Sequence, residues 1–133
     1  MHRSLDQIRA DTAYRSVQEH LGVDGFVDLA QRLPTILQRS GLLATWAFLQ
    51  AKSAKQESAR CIIGVLLAHL RSTALHLHTY VPSGDGAEVF RHWVGQTNGR
   101  PNISGGGLRR LTDEALGLAG WLKRAAEAYG EIS

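Results

Sequence analysis

The sequence predicts an all-α protein, a single compact bundle of about five to seven helices over residues 1–133. Three observations predict it: apolar residues recur at spacings of three and four, turn residues separate these stretches, and no segment offers a convincing pair of strands. A chain of 133 residues can bury one core but is short for two ordinary domains. We therefore expect one helical domain.

Apolar stripes predict the first two helices. The first stripe consists of residues three or four apart, namely Ala10, Ala13, Val17 and Leu21. Gly22 is placed to end this helix, and Asp24 is the predicted N-cap of the next one. The second stripe keeps the same spacing through Phe26, Ala30, Leu33 and Leu37.

Two helix-breaking residues lie in and after the second stripe. Pro34 lacks a backbone donor, so the sequence predicts a helix that is either kinked or restarted there. Gly41 permits a stop, after which Leu42, Trp46 and Leu49 begin a new stripe. We expect one helix that is kinked or broken at Pro34 and Gly41.

The widest apolar face predicts a central helix that continues to Leu77. Its members are Ile62, Ile63, Leu66, Leu67, Leu70, Ala74 and Leu77. The end of this stretch, TALHLHTYV at residues 73–81, also alternates as a strand would, but no other segment supplies a convincing partner. We therefore interpret these residues as helical.

A turn, a short helix, a loop and a final helix complete the prediction. Residues 82–86 form the turn, residues 89–94 the short helix, and residues 96–107 a polar, glycine-rich loop. Thr112 is the predicted N-cap of the last helix, whose positive first turn accounts for Asp113 and Glu114. The buried stripe of this helix is expected at Leu111, Ala115, Leu118, Leu122, Ala125 and Tyr129.

Positive charge is segregated along the chain. The formal net charge is +3, yet residues 29–56 carry four cations and no acid, and so do residues 89–112. The first cationic block consists of Arg32, Arg39, Lys52 and Lys55; the second consists of Arg91, Arg100, Arg109 and Arg110. These blocks are either solvated helix faces or a contact surface for a polyanion such as nucleic acid.

Residues that could carry catalysis or hold a metal do not converge in the sequence. His69 and His76 are seven residues apart, which on a helix is too distant for one ion. His76 and His78 would share a face only on a strand, and no third ligand lies nearby. The single cysteine, Cys61, lies in an apolar helical face and is expected to be a buried, inert thiol. The sequence predicts no catalytic residue, metal site or cofactor.

Composition also bears on the cellular compartment. A single cysteine excludes an intrachain disulfide, which favours a reducing environment. The first residues lack the apolar run of a secretion signal, and the longest apolar stretch, residues 61–70, is far shorter than the roughly 20 residues of a spanning helix. We expect a cytoplasmic protein with no membrane contact.

Four segments of the chain form a recognisable pattern. They are RSLDQIRADTAYRSVQE near the start, LAQRLPTILQRSGLLATWAFLQAK at residues 29–52, RHWV, and LTDEALGLAGWLKRAAEA near the end. The second is the most specific, and it is similar to a run that joins two helices, LPT-IL--GL---LAFL--K. In this order and over nearly the whole chain, the segments resemble the small-subunit family of the Cmr complex, the type III-B CRISPR effector.

The resemblance implies a non-catalytic subunit of a multiprotein complex that is guided by CRISPR RNA and silences complementary target RNA. In such complexes several copies of the small subunit stack along the guide and target strands beside other Cmr subunits, and larger subunits cleave. Both cationic blocks would then contact RNA phosphates, since base pairing reads the sequence.

Two other classes of function stay open. A stand-alone helical adaptor that binds a protein groove would explain the fold, and its binding would be insensitive to salt. A small hydrolase or metal-dependent nuclease would need clustered acids or histidines, and metal analysis of the purified protein would reveal it.

Overall fold

The computed structural model describes residues 3–96 and 103–130, which form helices and turns without a strand. The α-helices are α1 (Leu5–Glu19), α2 (Phe26–Ser53), α3 (Glu57–Leu70), α4 (Gly86–Trp93) and α5 (Gly105–Gly130). Two 3-10 turns, Thr73–Leu75 and His78–Tyr80, connect α3 to α4. The all-α prediction is confirmed.

The buried faces of the helices share one hydrophobic core. α5 packs against α1 and α2, and α2 also packs against α3. The predicted stripes of α2 and α5 lie in this core, where Leu33 and Leu118 are fully buried. Trp46 and Trp93 meet edge to face with ring centroids 5.1 Å apart, which joins α2 to α4. No described helix is both long and apolar enough to span a bilayer.

The break in α2 lies at Gly41 and not at Pro34. Gly41 has φ 78° and ψ 175°, a conformation essentially restricted to glycine, whereas Pro34 lies inside the helix. A straight helix of 28 residues would be about 42 Å long. Asp24 and Lys55, which lie just beyond its two ends, nevertheless line the same cleft. The chain therefore turns back at Gly41, and α2 consists of two helical segments.

Three predicted features of the neighbouring helices are wrong. α1 ends at Glu19, before the predicted stop at Gly22, and Leu21 of its predicted buried stripe is 42% exposed. α2 begins after Gly25, which has φ 83°, so Asp24 is not its N-cap. α3 ends at Leu70, and residues 73–80 form neither helix nor strand but the two 3-10 turns, with His76 at φ 58° between them. Leu77 is still buried, so the apolar pattern predicted burial correctly even beyond the end of the helix.

α5 begins almost two turns before its predicted N-cap. It starts at Gly105, and the backbone N–H of Gly107 donates to Ser104 Oγ at 3.0 Å, as at an N-cap. The Thr112 hydroxyl instead donates to the Leu108 carbonyl within the helix. The three glycines predicted as loop are thus helical, because packing overrides their weak helix propensity. Residues 97–102 of that predicted loop lie outside the described residues.

Candidate nucleic-acid interface

The first cationic block follows α2, and two of its four side chains have partners within the protein. The Arg32 guanidinium pairs with Asp28 one turn earlier, with Nη2 3.0 Å from Oδ2. Lys52 Nζ lies 5.0 Å from the centroid of the Phe48 ring, a cation–π contact. Arg39 is exposed and forms no ion pair within residues 3–96 and 103–130. Arg39 is therefore the member of this block with the clearest access to a partner.

Arg32 and Lys55 line a cleft of about 460 Å³ between the starts of α2 and α3. Its other charged residues are acids: Asp24, Asp28 and Glu57. These acids lie just outside residues 29–56 in the sequence, and the reversal at Gly41 brings both ends of that stretch to one place. The first cationic block is therefore partly neutralised in the folded protein, which weakens its attraction for a polyanion.

The second cationic block differs in that its described members form no ion pair, although Arg110 also has Asp113 and Glu114 beside it in one cavity. Arg91 on α4 and Arg109 and Arg110 in the second turn of α5 are exposed. Within the described part of the chain, none of these three guanidinium groups has an ion-pair partner. Arg100, the fourth member, lies outside the described residues.

Tyr80 connects the two helices that carry this block. Trp93 Nε1 at the end of α4 donates to the Tyr80 carbonyl at 2.9 Å. Gly107, in the first turn of α5, lies so close to the Tyr80 ring that an added Cβ would come within 2.8 Å of it. Arg91 and the pair Arg109 and Arg110 therefore lie on two helices that both contact Tyr80, although they are far apart in sequence.

A buried charge cluster, which the sequence did not predict, lies beside this region. Glu114 Oε2 accepts hydrogen bonds from Arg9 Nε at 2.8 Å and His69 Nε2 at 2.9 Å, and its Oε1 accepts one from Arg9 Nη2 at 3.0 Å. Burial alone would raise the pKa of Glu114, but the hydrogen bonds from His69 and Arg9 outweigh it, and the pKa is lowered.

This cluster joins α1, α3 and α5 through one charged carboxylate. Glu114 is 5% exposed and lies in the third turn of α5, so the prediction that a helix start accounts for it is wrong. The partners stand 105 and 45 residues away along the chain. An acid placed at a core position of the α5 stripe, next to Ala115, was the only sequence signal for this role.

A cavity of about 370 Å³ opens above the cluster. Arg110, Arg9 and His76 line it together with Asp113 and Glu114. Its charges of both signs make it a poor site for an isolated phosphate, since Glu114 already holds Arg9. Arg110 also lines this cavity, but it is exposed and forms no ion pair with a described residue. It can therefore contact a partner outside the protein.

The environments of Cys61 and of the histidines bear on two kinds of site, a reactive thiol and a metal centre. Cys61 is partly buried rather than fully buried, and burial, followed by the charge of Glu57, raises the pKa of its thiol. A raised pKa disfavours the reactive thiolate. Within the described residues, no three histidine, cysteine or acidic side chains lie close enough together to hold a metal ion.

Comparison with known proteins identifies the family. The family described as CRISPR-associated protein (Cas_Cmr5) matches residues 5–129, from the first residue of α1 to the residue before the end of α5. No curated protein and no solved structure matches the chain significantly. The chain belongs to the Cas_Cmr5 family and is a CRISPR-associated small Cmr subunit of type III-B.

Proposed function

We propose that this chain is a non-catalytic small subunit of an RNA-guided, RNA-targeting effector, which stacks in several copies along the guide and target RNA and contacts their phosphates. Its partners are other Cmr subunits, further copies of itself, CRISPR RNA and target RNA, in the cytoplasm. Membership of the Cas_Cmr5 family supports the place in a Cmr complex.

One observation carries the RNA contact: Arg91, Arg109 and Arg110 are exposed on two helices that both contact Tyr80. Guanidinium groups form strong, charge-assisted hydrogen bonds to phosphate oxygens. The N-terminal end of α5 adds a partial positive charge beside Arg109 and Arg110. Contacts to phosphates alone suit a subunit of this kind, because the guide reads the target sequence by base pairing.

The remaining candidates differ in how accessible their charge is. The charge of Arg39 is as accessible as the charges of the second cationic block. Arg39 is exposed, and Asp28 pairs with Arg32 rather than with Arg39. Lys52 and Lys55 face Phe48 and the acidic cleft respectively, so we expect smaller contributions from them. Arg100 remains a candidate on its sequence position alone.

Salt dependence of RNA binding tests this proposal. Replacing Arg91, Arg100, Arg109 and Arg110 together by alanine should leave helix content unchanged, because alanine is the best helix former. Affinity for a labelled RNA, or for target RNA in the reconstituted complex, should fall equally for all sequences. Each lost phosphate contact should reduce the log–log salt slope by roughly 0.7 to 0.9.

The matched variant replaces Arg32, Arg39, Lys52 and Lys55 by alanine, and it should reduce the slope less. If both variants bind RNA with the salt dependence of the original protein, the cationic blocks are solvated faces and the RNA contact is wrong. Binding to a protein partner that persists at high salt, with no RNA affinity, would instead favour the stand-alone adaptor.

A further inference from the structure

The cavity of about 370 Å³ beside the Glu114 cluster has apolar walls as well as charged ones. Leu75 and Leu77, from the segment between α3 and α4, both line it and pack with the hydrophobic core. Arg9 and Glu114 also line it, but they are already bonded to each other. Ligand pockets have roughly 300 to 1,000 Å³ and combine apolar walls with a few polar groups that orient the ligand. In size and lining, this cavity is typical of such pockets.

Three exposed polar side chains that line the cavity have no partner among the described residues: His76, Arg110 and Asp113. Arg110 and Asp113 are three residues apart on α5, a spacing at which side chains are neighbours on one helix face. They nevertheless form no ion pair with each other. A ligand that accepts hydrogen bonds from the guanidinium and donates them to the carboxylate would bridge the two.

His76 holds a backbone conformation that is uncommon for a residue with a side chain. Its φ is 58°, and it lies between the two 3-10 turns. Residues in such conformations persist where the surrounding structure holds them, and they are frequent at ligand sites. Leu75 and Leu77, which flank His76, are anchored against the core and so keep the imidazole beside the cavity. Imidazole rings are among the side chains on which unpaired RNA bases stack.

The charges of the cavity favour a neutral ligand over a phosphate. The carboxylates of Asp113 and Glu114 repel an anion, whereas a nucleobase is uncharged and carries donors and acceptors along its edge. Arg110 belongs to the second cationic block, so an RNA strand that this block binds would bring its bases to the cavity. A base of single-stranded RNA is therefore the ligand that fits both the lining and the position.

Guanine is the base whose edge matches a carboxylate beside a guanidinium group. Its N1–H and N2–H groups are adjacent donors, so they can bond both oxygens of one carboxylate, and its O6 and N7 atoms accept from a guanidinium group. The pairing edges of adenine, cytosine and uracil each place an acceptor next to the donor. A carboxylate repels that acceptor, so it discriminates against these three bases.

We propose that this cavity is a pocket for an unpaired guanine base. Asp113 accepts from N1–H and N2–H, Arg110 donates to O6, and His76 stacks on the ring. This inference rests on the proposed function for the RNA strand that supplies the base. It adds one base contact to a subunit whose other proposed RNA contacts are all to phosphates.

Single-stranded RNAs that differ in one base test the pocket. A labelled oligouridylate carries guanosine, inosine or adenosine at its centre, and inosine lacks only the N2 amino group of guanosine. Binding to the full-length chain is measured by fluorescence anisotropy at constant salt. We expect the guanosine RNA to bind at least about fivefold more tightly than the adenosine RNA, with the inosine RNA between them.

Variants locate the preference within the chain. Asp113→Asn should abolish it, because the amide N–H₂ group opposes the guanine donors. Loss of a negative charge beside Arg110 should at the same time leave the affinity for the adenosine RNA unchanged or higher, which a purely electrostatic effect would extend to all three RNAs. His76→Asn removes the ring, keeps a residue that tolerates positive φ, and should reduce the preference severalfold.

Glu127→Gln is the matched control, because it removes an exposed carboxylate elsewhere on α5 and should keep the full preference. Circular dichroism of each variant should show unchanged helix content. Equal affinity of the original chain for the three RNAs would overturn the proposal. So would a guanosine preference that survives Asp113→Asn, because the base would then bind elsewhere.

Guanosine monophosphate separates the two sources of the base. If it binds as tightly as the guanosine RNA and Asp113→Asn abolishes this binding, the pocket holds guanine but its ligand is a free nucleotide. Salt-dependent RNA binding without a base preference would refute the pocket alone. An unchanged salt slope in the variants of the cationic blocks, together with a guanosine preference that depends on Asp113, would refute the phosphate contacts alone.

Discussion

Glu114 on α5 is hydrogen-bonded to side chains of two other helices. Its carboxylate accepts the two Arg9 hydrogen bonds from α1 and the His69 hydrogen bond from α3. Replacing it by glutamine removes the charge that these donors stabilise. We expect Glu114→Gln to lower the free energy of unfolding by about 2 to 3 kcal/mol at pH 7, measured by urea denaturation.

The pH dependence of this loss follows from the direction of the pKa shift. The folded-state pKa of Glu114 is lowered relative to the unfolded value of about 4.3. Its contribution to stability is therefore fully present above the unfolded pKa and is lost as the pH falls through the folded one. The difference in free energy of unfolding between the original protein and Glu114→Gln should narrow below about pH 4.

Glu127→Gln is the control, because the exposed Glu127–Lys123 pair at 4.0 Å should contribute little. A constant difference from pH 7 to pH 3 would contradict this account.

Gly117 is the residue that leaves room for the Arg9 guanidinium. A Cβ added at Gly117 would lie 2.5 Å from Arg9 Cζ, whereas one added at Gly120 would meet nothing within 4 Å. Alanine normally stabilises a helix interior by up to about 1 kcal/mol relative to glycine. We expect Gly120→Ala to raise the melting temperature and Gly117→Ala to lower it, because Arg9 must leave the Glu114 carboxylate. An equal rise in both variants would show that Arg9 adjusts freely.

The helices themselves were largely predictable from local sequence. Apolar spacing located the buried faces of α2 and α5, since Phe26, Leu37, Leu111 and Leu122 are all in the core. Helix ends were less predictable, because they depend on contacts made by distant residues. The start of α5 at Gly105 is stabilised by packing on Tyr80, which a sequence pattern does not show.

A local signal for the start of α4 was available in the sequence and was missed. Asp85 and Glu88 form a capping box, in which the Glu88 backbone N–H donates to Asp85 Oδ1 at 2.9 Å and the Asp85 N–H donates to Glu88 Oε1. This spacing of an acid and a glutamate three residues later is a recognised N-terminal signature. It places the start of α4 at Gly86, three residues before the predicted position.

Pro34 and Gly41 interrupt α2 in different ways, and substitutions should separate them. Pro34 lies in the helix interior, where alanine is more favourable by up to about 3 kcal/mol, so Pro34→Ala should raise stability. Gly41 holds a conformation that costs a residue with a Cβ about 1 to 3 kcal/mol, so Gly41→Ala should lower it. Thermal unfolding of both variants measures these opposite signs.

Steric clash does not complicate the Gly41 experiment, because an added Cβ would meet nothing within 4 Å. Gly64→Ala in α3 has equally open space and an ordinary helical backbone, so it serves as the control and should be neutral or stabilising. A clear fall in the melting temperature of Pro34→Ala would contradict its placement in a helix interior.

The distribution of charge over the folded chain could be predicted only in part. The described members of the second cationic block form no ion pair after folding, although Arg110 lines a cavity with Asp113 and Glu114. The first block does not, because Asp28 precedes residues 29–56 by one position and pairs with Arg32. A count confined to a window of sequence misses partners that lie just outside it, and it cannot show which ends of the window a chain reversal brings together.

The arrangement of acids and histidines leads to a prediction for the isolated protein as a whole. Within residues 3–96 and 103–130, the buried carboxylate of Glu114 contacts His69, but both of its oxygens are also engaged by Arg9, so it is held as a structural anion. Metal-dependent cleavage of RNA needs side chains that can converge on an ion or on the reacting phosphate. We therefore expect no cleavage when the purified chain is incubated with labelled RNA and Mg²⁺ or Mn²⁺.

If RNA is cleaved, Glu114→Gln, His69→Gln and variants of the exposed acids identify the source of the activity. Activity that survives all of them belongs to a contaminant, whereas activity that co-purifies with the chain and disappears with one of its own acids or histidines would show that the subunit is an enzyme.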